Sequence, residues 1–402
     1  MRMRTWKFVP MLALFLVVHE VPAATKVKVG VLVSMSSFIS DLTGQGSVEA
    51  AKLAIEDFRK RHPGTTVELV SADHQNKPDV ATGIVREWFD RESVDVLLDG
   101  APSPVSLAVT DIVKDKNKVF LASSASHSDL SGKKCNPNTV QWTYTNWAFA
   151  NGTGKAVVRQ GGNTWFFMTA DYAYGHSLEK ETADTVKAAG GKVLGTVRHP
   201  VSAADLSSFL LQAQASKAKV IALANAGGDT INSIKQAAEF GVVPGKQNLA
   251  ALNLYITDVH AMGLKTAQGL MFTTAFYWDL NESTRAFSKR FASRMNGKMP
   301  TQAQAGAYSS LLNYLLAVER AGSPGNGARV VAEMRNVGWF EDPLFGRTRV
   351  QENGGVQHAM YLTQVKTPSE SRAPWDYYKI LQKIPEELAF QPKEQTGCPL
   401  VK

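Results

Sequence analysis

The sequence predicts an α/β protein built from two doubly wound parallel-sheet lobes. Two observations predict this fold. Short runs rich in β-branched residues alternate with amphipathic helical segments, a rhythm typical of a parallel sheet covered on both faces. The rhythm begins near Lys26 and restarts near residue 148, and a chain of 402 residues is long enough for two domains of about 150 residues each.

The first series contains four predicted strands and three predicted helices. In the first helix Val48, Ala51 and Ile55 recur at helical spacing on one face. The predicted strands are 27–33, 66–73, 94–100 and 118–123, and the helices are 44–60, 78–91 and 104–115.

The second series follows a crossing segment near residues 140–147. Its helices are predicted at 148–160, 175–189, 205–215 and 229–240, and its strands at 164–169, 192–198, 220–225, 249–254 and within 269–278. Helices 283–296, 302–321 and 327–337 complete one or both lobes, and the apolar runs 359–365 and 377–385 are expected to pair antiparallel.

Composition excludes several classes of protein. Charged residues make up 20% and hydrophobic residues 44%, too much apolar area for a disordered chain. No apolar run of about 20 residues lies beyond the N-terminus, so the body of the chain is not expected to span a membrane. The net charge is +8, but Lys and Arg are scattered without a basic stripe, so no nucleic-acid partner is predicted.

Residues 1–24 are typical of a secretory signal peptide. Arg2, Arg4 and Lys7 precede an apolar stretch from Phe8 to Val18, and small residues follow at 23–24. The alternative is an uncleaved N-terminal anchor. Because Cys135 and Cys398 are the only cysteines, export favours one disulfide between them, with two free thiols as the alternative.

A search for catalytic signatures finds none. There is no Gly-x-Ser-x-Gly elbow, no Gly-x-Gly-x-x-Gly after a strand and no cluster of His or Cys with metal-ligand spacing. We therefore expect a binding protein without a cofactor or metal rather than an enzyme. A hydrolase stays open as a rival because the members of a triad need not be close in sequence.

Two predicted strand ends are rich in serine. Ligands of open α/β sheets bind beyond the carboxyl ends of strands. Serine hydroxyls and free N–H groups at helix N-termini can hold an anion there. The candidates are Ser103 and Ser106 in GAPSPVS and Ser124 and Ser126 in ASSAS. The alternative is that these serines are helix caps and turn residues.

The second series places aromatic residues at its strand ends. Those facing a cleft would pack against a flat apolar ligand. The candidates are Tyr174, Tyr255 and Tyr277 at strand ends and Trp147 in the aromatic cluster at the first crossing. Asn225, at the end of strand 220–225, is a candidate polar contact or, alternatively, a helix cap.

Together these motifs resemble the leucine/isoleucine/valine-type solute-binding proteins, type I periplasmic binding proteins that serve ATP-driven (ABC) importers. The resemblance rests on VGVLVSMSS, DHQNKPDVA, GAPSPVS, ASSAS, DYAYG and IKQAAEFG. It implies a periplasmic, two-lobed protein that closes on a small ligand and passes it to a permease in the inner membrane. A cytoplasmic regulator of the same fold is the rival class, and it would lack the export signal.

The resemblance also implies three crossover segments, which we place near residues 145, 275 and 355. Lobe 1 is then expected to contain 26–145 and 276–355, lobe 2 146–275 and 356–390, and residues 391–402 form a tail. By the same resemblance, the ligand carboxylate lies against Ser103, Ser106 and the loop of Ser124, Ala125 and Ser126. In lobe 2, the tyrosine of the family's Tyr-Gly pair corresponds to Tyr174.

One departure from the family pattern bears on the ligand. Amino-acid binders of this family carry an acid just after the strand that is predicted to end at Leu254, but this chain has Leu254 and Tyr255 there. A buried ammonium without a partner costs several kcal/mol, roughly. We therefore expect an aromatic carboxylate without an α-amino group. A branched-chain or other amino acid is the alternative, with Asp229 or Asp258 supplying the missing charge.

Overall fold

The computed structural model describes residue 3, residues 25–242 and residues 247–401. Apart from Met3, the predicted signal peptide lies outside the described residues. The rest forms a mixed α/β protein with two large sheets in which most neighbouring strands are parallel, so the predicted fold class is confirmed.

The first sheet has five parallel strands in the order β2-β1-β3-β4-β5. These are β1 Lys26–Val33, β2 Thr66–Asp73, β3 Val96–Asp99, β4 Val119–Ala122 and β5 Thr139–Gln141, and the helices between them are α1 Gly44–Arg61, α2 Pro78–Asp90 and α3 Ser103–Asp115. The sequence did not predict β5, whose three residues are too few to show a period. We call this sheet and the helices packed on it lobe 1.

The second sheet has seven strands in the order β15-β14-β10-β9-β8-β6-β7. In chain order its first elements are α4 Asn146–Phe149, α5 Lys155–Arg159, β6 Thr164–Ala170, α6 Ala173–Ala188, β7 Lys192–His199, α7 Ser207–Ala215, β8 Val220–Ala224, α8 Gly228–Glu239, β9 Asn248–Ala251, α9 Ile256–Met262, α10 Leu264–Ala267 and β10 Met271–Thr274. A single π-helical turn, Ala150–Gly154, joins α4 to α5. We call this sheet and its helices lobe 2.

The late helices pack on lobe 1. They are α11 Glu282–Arg294, α12 Gln302–Ala321 and α13 Gly327–Asn336, and α12 lies between α1 and α13. A small antiparallel sheet follows, formed by β11 Phe340–Asp342, β12 Gly346–Val350 and β13 Val356–Gln357. The sequence did not predict this sheet, because its strands are short and carry no clear alternation.

The chain then returns to lobe 2 through β14 Met360–Val365 and β15 Tyr378–Ile384. These two strands pair antiparallel, as predicted for the two late apolar runs. The short helix α14 Glu386–Ala389 leads back towards lobe 1. There Cys398 is joined to Cys135 by a disulfide with a Cα–Cα distance of 5.6 Å, which fixes the C-terminal segment to lobe 1.

One difference from the predicted elements shapes the binding site. The predicted strand 249–254 ends at Ala251, and residues 252–255 form the turn that leads into α9. Because the strand ends early, the side chains of Asn253 and Tyr255 lie beyond the carboxyl edge of the sheet. This is the edge at which the carboxyl ends of parallel strands meet.

Candidate ligand-binding site

A cavity lies between the two lobes, at the carboxyl ends of β3 and β4 on one side and of β6, β8 and β9 on the other. It contains about 360 Å³ of space that protein atoms do not fill, part of it open to solvent. The lining residues are Ile39, Leu42, Thr43, Ala101, Pro102, Ser103, Ser124 and Ser126 from lobe 1 and Tyr172, Tyr174, Ala226, Asn253 and Tyr255 from lobe 2. Within the described part of the chain, no charged side chain lines it.

Ser103 and Ser126 present free hydroxyl groups to the cavity. Ser103 is the first residue of α3, and its own backbone N–H has no partner within the helix. Gly100 allows the tight turn before it, since its φ is +78° and a Cβ would lie 2.6 Å from the ring of Phe120. No hydrogen bond from either serine hydroxyl to another described residue occurs. Both are therefore available as donors to a ligand.

Ser124 differs from these two serines because its proton is already committed. Its hydroxyl donates to Oδ1 of Asp99, a fully buried carboxylate that also accepts from Ser47 Oγ at 2.5 Å and from the Ala101 N–H at 3.2 Å. Burial raises the pKa of Asp99 to about 6. The Ser124 oxygen therefore faces the cavity as an acceptor, while Asp99 ties α1, β3 and the Ser124 loop together.

A chain of hydrogen bonds forms the floor of the cavity. Tyr144 Oη donates to the Ser124 carbonyl at 3.1 Å and lies 2.8 Å from Tyr255 Oη. Because a carbonyl only accepts, Tyr255 donates to Tyr144 when both bonds form. Asn253 Nδ2 then donates to the hydroxyl groups of Tyr174, at 3.0 Å, and of Tyr255, at 3.4 Å. Burial raises the pKa of Tyr255 to about 12. Tyr174 Oη accepts from Asn253 but donates to no described residue, so its proton is free for a ligand.

Five predicted site residues do not line this cavity: Ser106, Ala125, Trp147, Asn225 and Tyr277. Tyr277 packs inside lobe 2 with its ring 4.9 Å from that of Tyr378. Trp147 lies in a separate groove. Ala125 is buried, and its carbonyl accepts from the side chain of Gln141. The position of a residue in the sequence does not show which way its side chain points, and this is why the sequence could not exclude these residues from the site.

Ser106 and Asn225 have structural partners instead. Ser106 Oγ donates to the carbonyl of Gly100 at 2.5 Å and so holds the turn that precedes Ser103. Asn225 Oδ1 accepts from Thr230 Oγ1 at 2.8 Å, and Asn225 Nδ2 donates to Ser233 Oγ at 3.0 Å. These bonds attach Asn225 to side chains of α8, but they do not cap the helix, because its N-cap residue is Gly227 and no side chain caps it.

The two acids considered as partners for a ligand ammonium do not line the cavity. Asp229 Oδ1 accepts from the N–H of Ser202 at 2.9 Å, and burial raises its pKa to about 6. Asp258 Oδ2 accepts from the N–H of Tyr255 at 3.0 Å, and burial raises its pKa to about 7. One oxygen of each carboxylate is therefore bound to a backbone N–H, while Oδ2 of Asp229 is buried without a hydrogen-bond partner among the described residues.

Three polar lining residues were not among the site residues chosen from the sequence. Tyr172 was present in the DYAYG motif, and its ring centroid lies 5.5 Å from that of Tyr174. Asn253 was hidden because its segment was taken as strand. Thr43 precedes a helix, a position that ordinarily indicates a cap rather than a ligand contact.

The lobes also touch directly beside the cavity. The N–H of Gly228 in lobe 2 donates to the carbonyl of Phe38 in lobe 1 at 3.2 Å. Gly227 has φ +58°, and a Cβ there would lie 2.6 Å from the same carbonyl oxygen. This close approach requires glycine and describes a closed arrangement of the two lobes.

Two further findings concern the described residues as a whole. No group of three or more His, Cys, Asp or Glu side chains among them is placed to hold a metal ion. None of the helices described is both long enough and apolar enough to cross a membrane.

Comparison with known proteins identifies the family. The family model described as periplasmic binding protein matches residues 26–372. A curated relative, Leu/Ile/Val-binding protein homolog 6 of Brucella melitensis, is 24% identical over 341 residues, which cover 82% of this chain and 85% of the relative.

Solved structures agree with this assignment. A periplasmic binding protein from Burkholderia mallei is 48% identical with a TM-score of 0.90, over 94% of this chain and 100% of the other. A branched chain amino acid ABC transporter periplasmic ligand-binding protein from Burkholderia xenovorans is 39% identical with a TM-score of 0.84, with the same coverage. The chain therefore belongs to the periplasmic binding protein family, whose members serve transport rather than catalysis, and it is the periplasmic substrate-binding component of an ABC importer.

Proposed function

We propose that the protein captures a small aromatic carboxylate between its lobes and delivers it to the membrane permease of the importer. The observation that carries this proposal is the uncharged cavity in which most free polar groups are hydrogen-bond donors. The proposal includes removal of residues 1–24 on export. It also includes the division into lobe 1 (26–145 and 276–355), lobe 2 (146–275 and 356–390) and a C-terminal tail.

The donors favour an anionic ligand. Ser103, Ser126 and Tyr174 each have a hydroxyl proton with no acceptor among the described residues, and the N-terminus of the 13-residue helix α3 faces the same space. Helix N-termini and hydroxyl donors stabilise a carboxylate without a cationic side chain. A hydrogen bond to a charged group contributes about 1.5–3 kcal/mol.

The walls favour a flat apolar body attached to that carboxylate. The rings of Tyr172 and Tyr174 form one side, and Ile39 and Leu42 lie on the lobe 1 side. Proteins of the same fold from R. palustris, 19% identical to this chain, hold benzoate and 4-hydroxybenzoate, so the fold accommodates such ligands.

A branched-chain amino acid is the second candidate. The Burkholderia xenovorans relative carries that name, and the Ser124 oxygen is an acceptor backed by the Asp99 carboxylate, which suits a ligand N–H. Against it, none of Asp99, Asp229 and Asp258 lines the cavity. An ammonium would thus be buried without direct contact to an ionised group, which destabilises the complex by several kcal/mol, roughly.

Titration calorimetry separates the two ligands. We expect benzoate or 4-hydroxybenzoate to bind the purified protein more tightly than leucine, and tight leucine binding would overturn the aromatic proposal. Replacing both Ser103 and Ser126 by Ala is expected to weaken binding by about tenfold or more, because two donors to the carboxylate are lost. Ser123→Ala is the matched control, since Ser123 is buried beside Ser124 but does not line the cavity.

A further inference from the structure

Thr43 occupies the N-cap position of α1 but does not cap the helix. A threonine there ordinarily accepts a hydrogen bond from an N–H of the first turn. In this chain the Thr43 side chain makes no such bond. Its residue is 2% exposed, and its buried Oγ1 has no hydrogen-bond partner among the described residues.

A different residue holds the start of α1. Gln304, from the first turn of α12, donates to the carbonyl of Thr43 at 3.2 Å and to that of Asp41 at 3.3 Å. It packs directly on Gly46, where a Cβ would lie 2.1 Å from Nε2. These bonds engage backbone carbonyl groups, so they fix the position of the helix start and leave the Thr43 hydroxyl unengaged.

Thr43, the residue that carries this hydroxyl, is part of the cavity wall. Thr43 lines the same space as Ser103, Ser124 and Ser126. One helical turn further along α1, Ser47 donates to Asp99, and Asp99 accepts from Ser124. The first turn of α1 is thereby attached to the loops that carry the serines.

We propose that the Thr43 hydroxyl is a ligand-binding group that donates a hydrogen bond to the bound carboxylate. A buried hydroxyl without a partner destabilises a fold, so a partner that arrives with the ligand accounts for its position. The identity of the acceptor rests on the proposed function, whereas the contact with a ligand rests on the cavity and the unpaired hydroxyl.

An unpaired buried hydroxyl does not by itself identify a ligand contact. A second buried threonine with an unpaired hydroxyl, Thr182, therefore serves as a control. Thr182 in α6 is also fully buried with an unpaired Oγ1, but it does not line the cavity. Thr43→Val and Thr182→Val remove the same atom from equivalent burial, and both keep the branched shape of the side chain. Thr43→Ser keeps the hydroxyl and loses only the methyl group.

The test is titration calorimetry of the four proteins with benzoate, 4-hydroxybenzoate and leucine, together with thermal unfolding of the ligand-free forms. We expect Thr43→Val to bind the tightest of these ligands about tenfold or more weakly than wild type, whereas Thr182→Val and Thr43→Ser stay within about threefold. Thr43→Val and Thr182→Val should unfold at or above the wild-type temperature, because an unpaired polar group is removed, whereas Thr43→Ser loses a buried methyl group and should unfold slightly below it.

The outcomes separate this inference from the proposed ligand class. Wild-type binding of leucine in preference to both aromatic acids overturns the ligand class, and the comparison of Thr43→Val with wild type then proceeds with leucine. Equal affinity of Thr43→Val and wild type for the preferred ligand overturns the role of Thr43. An equal loss in Thr43→Val and Thr182→Val overturns it too, since the loss would then be independent of the cavity.

Discussion

Gly227 provides a direct test of whether the closed arrangement of the lobes determines ligand affinity. A Cβ at this position would lie 2.6 Å from the carbonyl oxygen of Phe38 and 3.4 Å from Ile39 Cγ2, both in the other lobe. The Gly227→Ala variant therefore cannot close as the wild type does without moving the lobes apart by several tenths of an ångström. Each lobe, taken by itself, has room for the methyl group.

The magnitude follows from overpacking. Inserting a methyl group into a tight contact destabilises the packed state by about 1–3 kcal/mol. Only the closed state has this contact, so the penalty falls on ligand binding. At about 1.4 kcal/mol for each factor of ten, the affinity is expected to fall roughly fivefold to 100-fold.

Backbone strain requires its own control, because φ at Gly227 is +58°. Gly263, also in lobe 2, has φ +78°, and a Cβ there would meet nothing within 4 Å. Gly263→Ala therefore introduces comparable backbone strain, of order 1–3 kcal/mol, without an interlobe contact. Both variants should lower the unfolding temperature, but only Gly227→Ala should weaken binding.

The assay combines calorimetry with small-angle scattering. We expect ligand to reduce the radius of gyration of wild type and of Gly263→Ala, and to reduce that of Gly227→Ala less at equal saturation. Wild-type affinity in Gly227→Ala would refute the reasoning, as would the same loss in both glycine variants.

Three further predictions follow from buried groups. Asp229→Asn should stabilise the ligand-free protein by about 1–3 kcal/mol at pH 7, measured by urea unfolding, because burial raises the pKa of this acid from 3.8 to about 6. In the wild type, the loss of folding free energy caused by ionising this buried acid is absent below about pH 4 and develops as the pH rises to about 6. Equal stabilisation by the variant at about pH 4 and pH 7 would contradict this cause. Replacing Cys135 and Cys398 by Ser should reduce the free energy of unfolding by about 2–5 kcal/mol, and reduction of the wild type should reproduce the loss. Tyr144→Phe leaves the Ser124 carbonyl without its donor and should weaken ligand binding about fivefold or more, with the secondary structure seen by circular dichroism unchanged.

The rhythm of strands and helices was readable from the sequence because it depends on local periodicity. Helix 302–321 was predicted with the bounds that the structure shows, since its apolar stripe is long and uninterrupted. The strands of three residues or fewer, such as β5 and β13, carry too little pattern to be recognised. They owe their existence to the neighbouring strands rather than to their own sequence.

The candidate site was partly readable for a related reason. Topology places the ends of β3 and β4 side by side, so Ser103, Ser124 and Ser126 could be grouped without a structure. The direction of a side chain is a tertiary property, and Asn225 and Tyr277 at similar strand ends point elsewhere. Thr43 was beyond sequence reasoning, because a threonine at an N-cap position ordinarily bonds to its own helix, and only the structure shows that its hydroxyl has no partner among the described residues.

The hydrogen bonds of the cavity floor connect assembly of the site with closure of the lobes. They run from the Ser124 carbonyl in lobe 1 through Tyr144 to Tyr255 and Asn253 in lobe 2, and Gln302 of α12 then donates to Asn253 Oδ1 at 3.4 Å. Opening the lobes separates these partners, so the floor exists as a whole only in the closed state. A ligand shifts the balance between open and closed forms only by its difference in affinity for the two. A ligand that contacts both the serines of lobe 1 and the tyrosines of lobe 2 binds the closed form more tightly and shifts the balance towards it. A ligand that contacts a single lobe binds both forms equally and leaves the balance unchanged.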